Sequence, residues 1–460
     1  MQFLRLGISS AIVAVQLLLP ILFLLNAAPV AKAQALNREE KIQRAMAIIA
    51  LYPKDTAQVQ IDLGKPVKAN SMVGFVHAIN DKQPPDDLIA PLQPRTWRTG
   101  KLAKTIYPRT KKFGSNFVIV LSDLWGYPGQ TKARWRAPYH NFEQWENFVR
   151  STVKATQGEP ITFEIWNEPD GKEFWIGSKS QWLETCTRAA RIITAESHGQ
   201  AKIAGPSLAH FDSLRLKQYV DHFRSNNLPL DILTWHEFRS DLLLPTMQSE
   251  IADLKLYFDQ SCKFKSKAGQ IFITEYLPEA AQFRPASNLA YLVYLENSKV
   301  DGACRACWNE SAGSNCWNCS LEGLLAVNQG KYLPRSVWWI YKYYADGVTA
   351  RVKSTTDDPR VVCVAAKGCT ANTAANLLIG YCGESLICPE KKVITVTITN
   401  LPKASNRRFE VRRIPSMGEQ PIKEPSIILT KPMPSNTTDC TIVLPALKLF
   451  EAYQVQVLND

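Results

Sequence analysis

The sequence lacks the motifs that would place it in several large functional classes. It contains no Walker loop, no dinucleotide-binding fingerprint and no G-x-S-x-G elbow, so nothing in it predicts a nucleotide site or a serine hydrolase. It has no nucleic-acid-binding signature either, because its Lys and Arg residues are scattered rather than clustered. No low-complexity region or long linker is present. We therefore expect a folded protein without a nucleic-acid partner.

An excess of basic residues sets the overall charge. The formal charge is +12, and the isoelectric point is near 9.1. We interpret this excess as a solvated basic surface. Attraction to an acidic polysaccharide or an anionic cell surface is the alternative, and charge alone does not separate the two.

The first 33 residues are typical of a secretory signal peptide. Arg5 precedes an apolar run that ends at Leu25, and small residues around Ala33 suit cleavage. We therefore expect a secreted, periplasmic or cell-surface protein. The alternative is an uncleaved anchor, which would be the only membrane contact, because no second long apolar run follows. Nothing in the sequence predicts an oligomeric state.

Eleven cysteines in an exported chain predict disulfides. Four of them form a C-x2-C-x8-C-x2-C cluster, which we expect to hold two disulfides beside the eighth strand described below. Zinc is the alternative for this spacing. We expect two more disulfides among four later cysteines. Cys186 is expected to be unpaired, and Cys262 and Cys440 remain without an assigned partner. The first cluster is Cys304, Cys307, Cys316 and Cys319, and the second is Cys363, Cys369, Cys382 and Cys388.

Residues 71–345 alternate short apolar runs with amphipathic helix patterns, which predicts a (β/α)8 barrel. From residue 346 to 460 the helical periodicity disappears, and short β-rich runs predict an antiparallel β-sandwich. The preceding segment, 34–70, contains a strand pattern at Thr56–Lys68 that could add to the sandwich. The eight expected barrel strands are Val73–Ala78, Leu92–Arg98, Phe117–Asp123, Ile161–Glu168, Lys202–Gly205, Leu230–His236, Ile271–Glu275 and Asp301–Trp308.

Two of these strands end in a glutamate. Ile161–Glu168 ends in Asn167-Glu168, and Ile271–Glu275 ends in Glu275. Two carboxyl groups at the mouth of a barrel are what the cleavage of a glycosidic bond requires. We assign Glu168 as the acid/base, with a pKa raised by the charge of Glu275, and Glu275 as the nucleophile. Glu275 then needs donors, for which Arg98 and Tyr276 are candidates, and Asn167 could bind the sugar 2-hydroxyl.

The segment Phe163–Asp170, followed by Phe174-Trp175, resembles the acid/base motif of glycoside hydrolase clan A. It is most similar to family 39, which includes β-xylosidases and α-L-iduronidases. Thr274-Glu275-Tyr276 is similar to the nucleophile strand of the clan, and Thr234-Trp235-His236 to its sixth-strand motif. The resemblance places His77 and Arg98 on strands one and two of the site, and it implies a retaining glycosidase without metal or other cofactor.

Tryptophans after the strands are candidates for stacking on sugar rings, although tryptophan more often serves packing. We expect Trp308 and Trp175 to act in this way, with a carbohydrate as the partner. No metal site is expected at His236-Glu237, because the second histidine of a zinc-peptidase helix is replaced by Ser240. The alternative function is a carbohydrate-binding protein on the same barrel that has lost catalysis.

Overall fold

The computed structural model describes residues 55–126, 137–261, 269–368, 370 and 372–459, together with Gln43 and Ala47. The signal segment predicted over residues 1–33 lies outside this part of the chain, as do Cys262 and Cys369. Within the described ranges, no helix combines the length and the apolar character needed to cross a membrane.

Eight parallel strands close into a barrel, which confirms the predicted (β/α)8 fold. A strand that precedes them, β1 (Thr56–Pro66), belongs to a second sheet. The barrel closes where Phe75 pairs with Arg305. The barrel strands are β2 (Gly74–Val76), β3 (Thr96–Thr99), β4 (Asn116–Val120), β5 (Ile161–Glu164), β6 (Lys202–Leu208), β7 (Ile232–Glu237), β8 (Gln270–Tyr276) and β9 (Gly302–Arg305).

Helices cover the outside of the barrel. Helix α4 shows the local rule: Trp145, Val149 and Val153 recur every four residues and are buried, and Asn141 caps the first turn by accepting from the N–H of Gln144. The helices are α1 (Asp86–Ile89), α2 (Ala103–Lys112), α3 (Leu121–Gly126), α4 (Phe142–Ala155), α5 (Lys179–Glu196), α6 (Ser213–Ser225), α7 (Met247–Ser261), α8 (Pro285–Asn297) and α9 (Ser336–Gly347).

Two hairpins follow the last barrel strand. The first joins β10 (Asn309–Glu310) to β11 (Gly313–Ser314), and the second joins β12 (Leu325–Asn328) to β13 (Lys331–Pro334). They lie between β9 and helix α9 in the chain. The sequence does not predict these hairpins, because strands of two to four residues are too short for a periodic pattern.

The C-terminal strands form one ten-stranded sheet together with β1. Its pairs are antiparallel except for the parallel pair of β1 with β17. The sheet encloses a core of its own, to which β1 contributes Val59 and Ile61. Its other strands are β14 (Arg351–Thr356), β15 (Val361–Lys367), β16 (Thr373–Tyr381), β17 (Lys391–Thr399), β18 (Arg407–Ile414), β19 (Ser426–Met433), β20 (Cys440–Val443), β21 (Leu447–Lys448) and β22 (Ala452–Asn459).

The other face of this sheet packs on the barrel. Along β15, Val361 and Cys363 face the sheet's own core, whereas Val362 and Val364 join the core of the barrel. This alternation is what a period of two residues produces in a strand that is buried on both faces. Helix α8 lies between barrel and sheet, which explains why almost all of its residues are buried.

Candidate active site

Strained backbone marks the carboxyl ends of several barrel strands. His77, Glu168, Ser207 and Leu277 have φ angles of 55°, 44°, 57° and 82°. Such left-handed conformations cost non-glycine residues on the order of 1–3 kcal/mol each and concentrate at functional sites. The backbone of Glu168 is held in place by a hydrogen bond from its N–H to the carbonyl of Ser207 (2.9 Å).

Arg98 joins four of the strand ends from the inside of the barrel. Its side chain is 2% exposed. Nε donates to Glu164 (2.6 Å), Nη1 to Glu275 (2.7 Å), and Nη2 to Asn167 Oδ1 (2.6 Å) and Ser207 Oγ (3.2 Å). One guanidinium therefore balances two carboxylates and orients the amide of Asn167.

Glu168 and Glu275 lie on opposite edges of one imidazole ring. His236 Nδ1 is 2.8 Å from Glu168 Oε1, while His236 Nε2 is 3.7 Å from Glu275 Oε1 and 3.2 Å from Ser207 Oγ. The imidazole is fully buried, but each carboxylate is 18% exposed. Both carboxyl groups are therefore open to a ligand in the mouth of the barrel.

The expected rise in the pKa of Glu168 is wrong. Burial acts to raise this pKa, but the hydrogen bond and charge of His236 outweigh it, and the net pKa is lowered. Burial likewise acts to lower the pKa of His236, but Glu275 and Glu168 raise it. Both shifts favour the charged forms of the two groups, whose Nδ1 and Oε1 atoms lie within hydrogen-bond distance of each other.

A third carboxyl group at the mouth was missed. Asp123 is partly exposed, and its Oδ1 accepts a long hydrogen bond from Ser122 Oγ (3.4 Å), which in turn accepts from the N–H of Asn167 (3.1 Å). Burial raises the pKa of Asp123 to about 7, against the opposing charge of Arg98. The sequence contained the signal, because Asp123 ends the third strand pattern just as glutamates end the fourth and seventh.

His77 lies at the end of β2, beside Arg98. Burial lowers the pKa of His77 to about 3, and the cation of Arg98 adds to this effect, so the imidazole is neutral. Its Nδ1 is 2.9 Å from Thr99 Oγ1. Its ring stacks on Trp317, with 4.2 Å between the ring centroids.

Trp308 lies at the mouth, on the side of His236. It is half-buried, and its Nε1 donates to the carbonyl of Leu277 (2.9 Å). Phe238 separates Trp308 from His236, with centroid distances of 5.1 Å to the first and 5.8 Å to the second. His210 also packs against Phe238, at 6.3 Å. These aromatic residues form one wall of the opening, and sequence reasoning missed Phe238 and His210.

Two of the expected binding residues point elsewhere. Tyr276 is buried, and its hydroxyl contacts Tyr341 (3.0 Å) and the carbonyl of Met72 (3.3 Å). Trp175 is 6% exposed and packs edge-on against Trp166. Tyr276 follows Glu275 on β8, so its side chain takes the opposite face of the strand and cannot reach the site.

The cysteine cluster forms one disulfide instead of the expected two. Cys307 and Cys316 are bonded, with 4.9 Å between their Cα atoms, whereas Cys304 and Cys319 are separate buried thiols. Cys304 belongs to β9 and is fully buried, and burial, together with the charge of Glu322, raises the pKa of its thiol. The disulfide takes up two of the four ligands that a zinc site would need, which excludes the zinc interpretation.

The bridges expected in the C-terminal sheet are wrong as well. Cys363, Cys382 and Cys388 are unbonded thiols, whereas Cys369 is outside the described residues. Cys382 belongs to the core of the barrel, whereas Cys363 and Cys388 belong to the core of the sheet. Cys186 is unpaired and buried, as predicted.

Comparisons with known proteins show which families and folds the chain is similar to. Residues 137–273 match the family described as glycosyl hydrolases family 39. A 3-O-α-D-galactosyl-α-L-arabinofuranosidase of Bifidobacterium longum subsp. longum is 22% identical over 299 residues, which are 57% of this chain and 25% of that protein. A β-xylosidase of Caldicellulosiruptor saccharolyticus is 26% identical over 117 residues, which are 24% of this chain and 23% of that protein. The chain therefore aligns with about a quarter of the length of these relatives.

Solved structures share the fold over nearly the whole chain. A protein of Neocallimastix frontalis has a TM-score of 0.71 at 20% identity, and the match covers 88% of this chain and 100% of that one. The family 39 enzyme of Xanthomonas axonopodis pv. citri has a TM-score of 0.63 at 13% identity, with 89% and 99% covered. At these identities the likeness concerns the fold, that is, a barrel with an appended sheet.

Proposed function

We propose that this chain, a protein of the glycoside hydrolase family 39 type within clan A, hydrolyses O-glycosidic bonds with retention of configuration. The supporting observation is the arrangement of Glu168 and Glu275 on the two nitrogens of His236, at the open end of the barrel. Glu275 has an arginine partner and Glu168 has an imidazole partner, and this difference supports the proposed assignment of the two roles.

Glu275 is the nucleophile in this proposal. Its carboxylate attacks the anomeric carbon, forming a bond from carbon to Glu275, while the bond from that carbon to the leaving oxygen breaks. The ion pair of Arg98 with Glu275 (2.7 Å) holds the carboxylate in place for this attack. Asn167, oriented by the same guanidinium, donates to the sugar hydroxyl next to the anomeric carbon.

Glu168 supplies the proton of the leaving group. Nδ1 of His236 lies 2.8 Å from Oε1 of Glu168 and orients this carboxyl group, which in its protonated form gives the proton to the departing oxygen. In the second step Glu168 takes a proton from water, whose oxygen attacks the anomeric carbon and breaks the bond to Glu275. The carboxylates act from opposite sides of the sugar, and two inversions give net retention.

The test uses Glu275→Ala and Glu168→Ala, with the exposed Glu279→Ala as a control. Glu275→Ala should remove nearly all turnover. Glu168→Ala should be impaired most with poor leaving groups, which need the proton. Added azide should yield a glycosyl azide of retained configuration from Glu168→Ala and of inverted configuration from Glu275→Ala.

Two results would contradict the assignment. Net inversion by the wild-type protein would exclude a covalent intermediate on Glu275. Turnover by Glu275→Ala at the rate of the Glu279→Ala control would show that Glu275 is not the nucleophile. Binding of oligosaccharides without any turnover would instead favour the carbohydrate-binding function.

The proposed substrates are pentosides. The supporting observation is the pair of activities named for the aligned relatives, an arabinofuranosidase and a xylosidase. A panel of aryl α-L-arabinofuranosides, β-D-xylosides and β-D-glucosides tests this proposal. A preference for the glucoside over both pentosides would refute it.

We also propose that the protein is exported. The Cys307–Cys316 disulfide supports export, because disulfides persist in oxidising compartments, and so does the signal-like sequence over residues 1–33. N-terminal sequencing of the protein recovered from outside the cytoplasm should show cleavage near Ala33. Retention of the full-length chain in the cytoplasm would refute the proposal.

A further inference from the structure

The loop after β9 holds an exposed tryptophan over the active site. Trp317 directly follows the disulfide cysteine Cys316, and its side chain is 45% exposed. One part of its indole stacks on the neutral ring of His77, with an interplanar angle of 22°. Because His77 lies beside Arg98, this indole extends the catalytic mouth outwards.

The chain on both sides of Trp317 is fixed. The disulfide ties Cys316 to Cys307, at the end of the last barrel strand. On the other side, Asn318 Nδ2 donates to Glu310 (2.6 Å), and Glu310 is 2.6 Å from the buried guanidinium of Arg335. The loop therefore presents its tryptophan in one orientation.

Trp317 differs from other exposed apolar side chains because it stacks on His77, a residue of the mouth of the barrel. A ligand that covered the free face of this indole would remove apolar surface from water, which is favourable. The exposed indole carries an N–H group, which donates no hydrogen bond to any of the described residues. An apolar face with one donor at its edge suits a sugar ring, which has C–H groups on its face and hydroxyl groups at its rim.

We propose that Trp317 forms a second sugar-binding subsite, next to the one that contains Glu168 and Glu275, and that the Cys307–Cys316 disulfide holds it in place. This inference rests on the proposed glycosidase function. The subsite binds the ring adjacent to the one that is attacked. It therefore favours oligosaccharides over substrates that offer only one sugar.

The test compares a one-sugar substrate with a longer one of the same sugar. A xylosyl fluoride fills the catalytic subsite only, since fluoride is too small to reach Trp317, whereas xylotriose extends beyond that subsite. An arabinofuranosyl fluoride and an arabinotriose serve in the same way. Trp317→Ala should lower kcat/KM for the trisaccharide about tenfold, the value of one good aromatic contact, and leave the fluoride within about twofold.

Matched variants separate the loss of sugar stacking on Trp317 from a general loss of folding or activity. Trp317→Phe keeps an aromatic face and should recover most of the lost kcat/KM. Leu333→Ala removes an equally exposed apolar side chain (46%) from the hairpin β12–β13 and should change neither substrate. The Cys307→Ser/Cys316→Ser double variant should reproduce the selective loss, because the loop is released.

The outcomes are distinct. Equal losses on both substrates, or no loss on the trisaccharide, would overturn the subsite. Unchanged kinetics in the double cysteine variant would overturn the role of the disulfide. If the wild-type protein turned over neither substrate, the pentoside proposal would fail by itself, and calorimetric affinity for the trisaccharides in wild type and Trp317→Ala would decide the subsite.

Discussion

Replacement of Arg98 tests the electrostatic organisation of the barrel interior. In Arg98→Met, a side chain of similar length loses its hydrogen bonds to Glu164, Glu275, Asn167 and Ser207. Glu164 is fully buried and would keep a charge without its partner. Removal of one partner from a buried ion pair costs about 3–5 kcal/mol.

This free energy corresponds to a measurable shift in melting temperature. Unfolding entropy is about 2.1 cal/mol/K per residue, so for the unit Ala47–Asp460 of about 400 residues each kcal/mol lowers Tm by about 1.2 °C. We therefore expect Arg98→Met to melt about 4–6 °C below wild type. Arg98→Lys should recover only part of this, because one ammonium cannot replace the donors of a guanidinium.

A second buried arginine provides the control. Arg109 on α2 is 6% exposed and donates to Asp86 (2.7 Å) and to the carbonyls of Asn80 and Gln83 (3.0 Å each). Arg109→Met should lower Tm but leave kcat nearly unchanged, whereas Arg98→Met should lose kcat by about 100-fold or more.

The assays are calorimetry and turnover of the preferred aryl pentoside at neutral pH. The double variant Arg98→Met/Glu164→Gln removes the unpaired charge, so it should melt above Arg98→Met alone. A melting temperature of Arg98→Met within about 1 °C of wild type would refute the reasoning. So would a double variant that is less stable than the single one.

Three further predictions follow from the site and the loop beside it. The Tm difference between wild type and Glu168→Gln should be largest between pH 4.5 and 6.5. The lowered pKa of Glu168 stabilises the folded protein above pH 4.5, and the raised pKa of His236 stabilises it below pH 6.5. A Tm difference that does not vary with pH would contradict these two pKa shifts. In mass spectrometry of the unreduced protein, Cys307 and Cys316 should resist alkylation even after unfolding; modification of both would exclude the disulfide. Tyr276→Phe should lower the free energy of unfolding by about 1 kcal/mol without changing KM. A raised KM would show that the Tyr276 hydroxyl contacts the substrate after all.

The barrel was predictable because its strands and helices carry strong periodic signals. The amphipathic patterns at Phe142–Ala155 and Ser213–Ser225 predict helices, and helices α4 and α6 have these bounds. The segment of helix α2 does not show such a pattern, because its lysines and arginines and an internal Pro108 hide the apolar stripe. The sequence alone predicts an exposed side chain for Arg109, because arginine is usually on the surface, but this residue is buried.

The chemistry of the site was only partly predictable. Residue type and strand position predicted Glu168 and Glu275, and the resemblance predicted Arg98, but neither revealed the direct contact of His236 with Glu168. That contact depends on the left-handed turn at Glu168 and on the register of β7, which are properties of the folded barrel. The predicted binding role of Tyr276 overlooked a simpler fact, namely that adjacent residues of a strand face opposite sides of the sheet.

Strand β1 links the order of synthesis to the order of assembly. It leaves the ribosome before the barrel, yet its neighbours β14 and β17 are made only after the barrel is complete. The terminal sheet therefore cannot finish folding as an independent module, and a fragment that starts at residue 71 would lack an interior strand of that sheet. For the same reason, a single recombination point cannot transfer the complete sheet to another barrel.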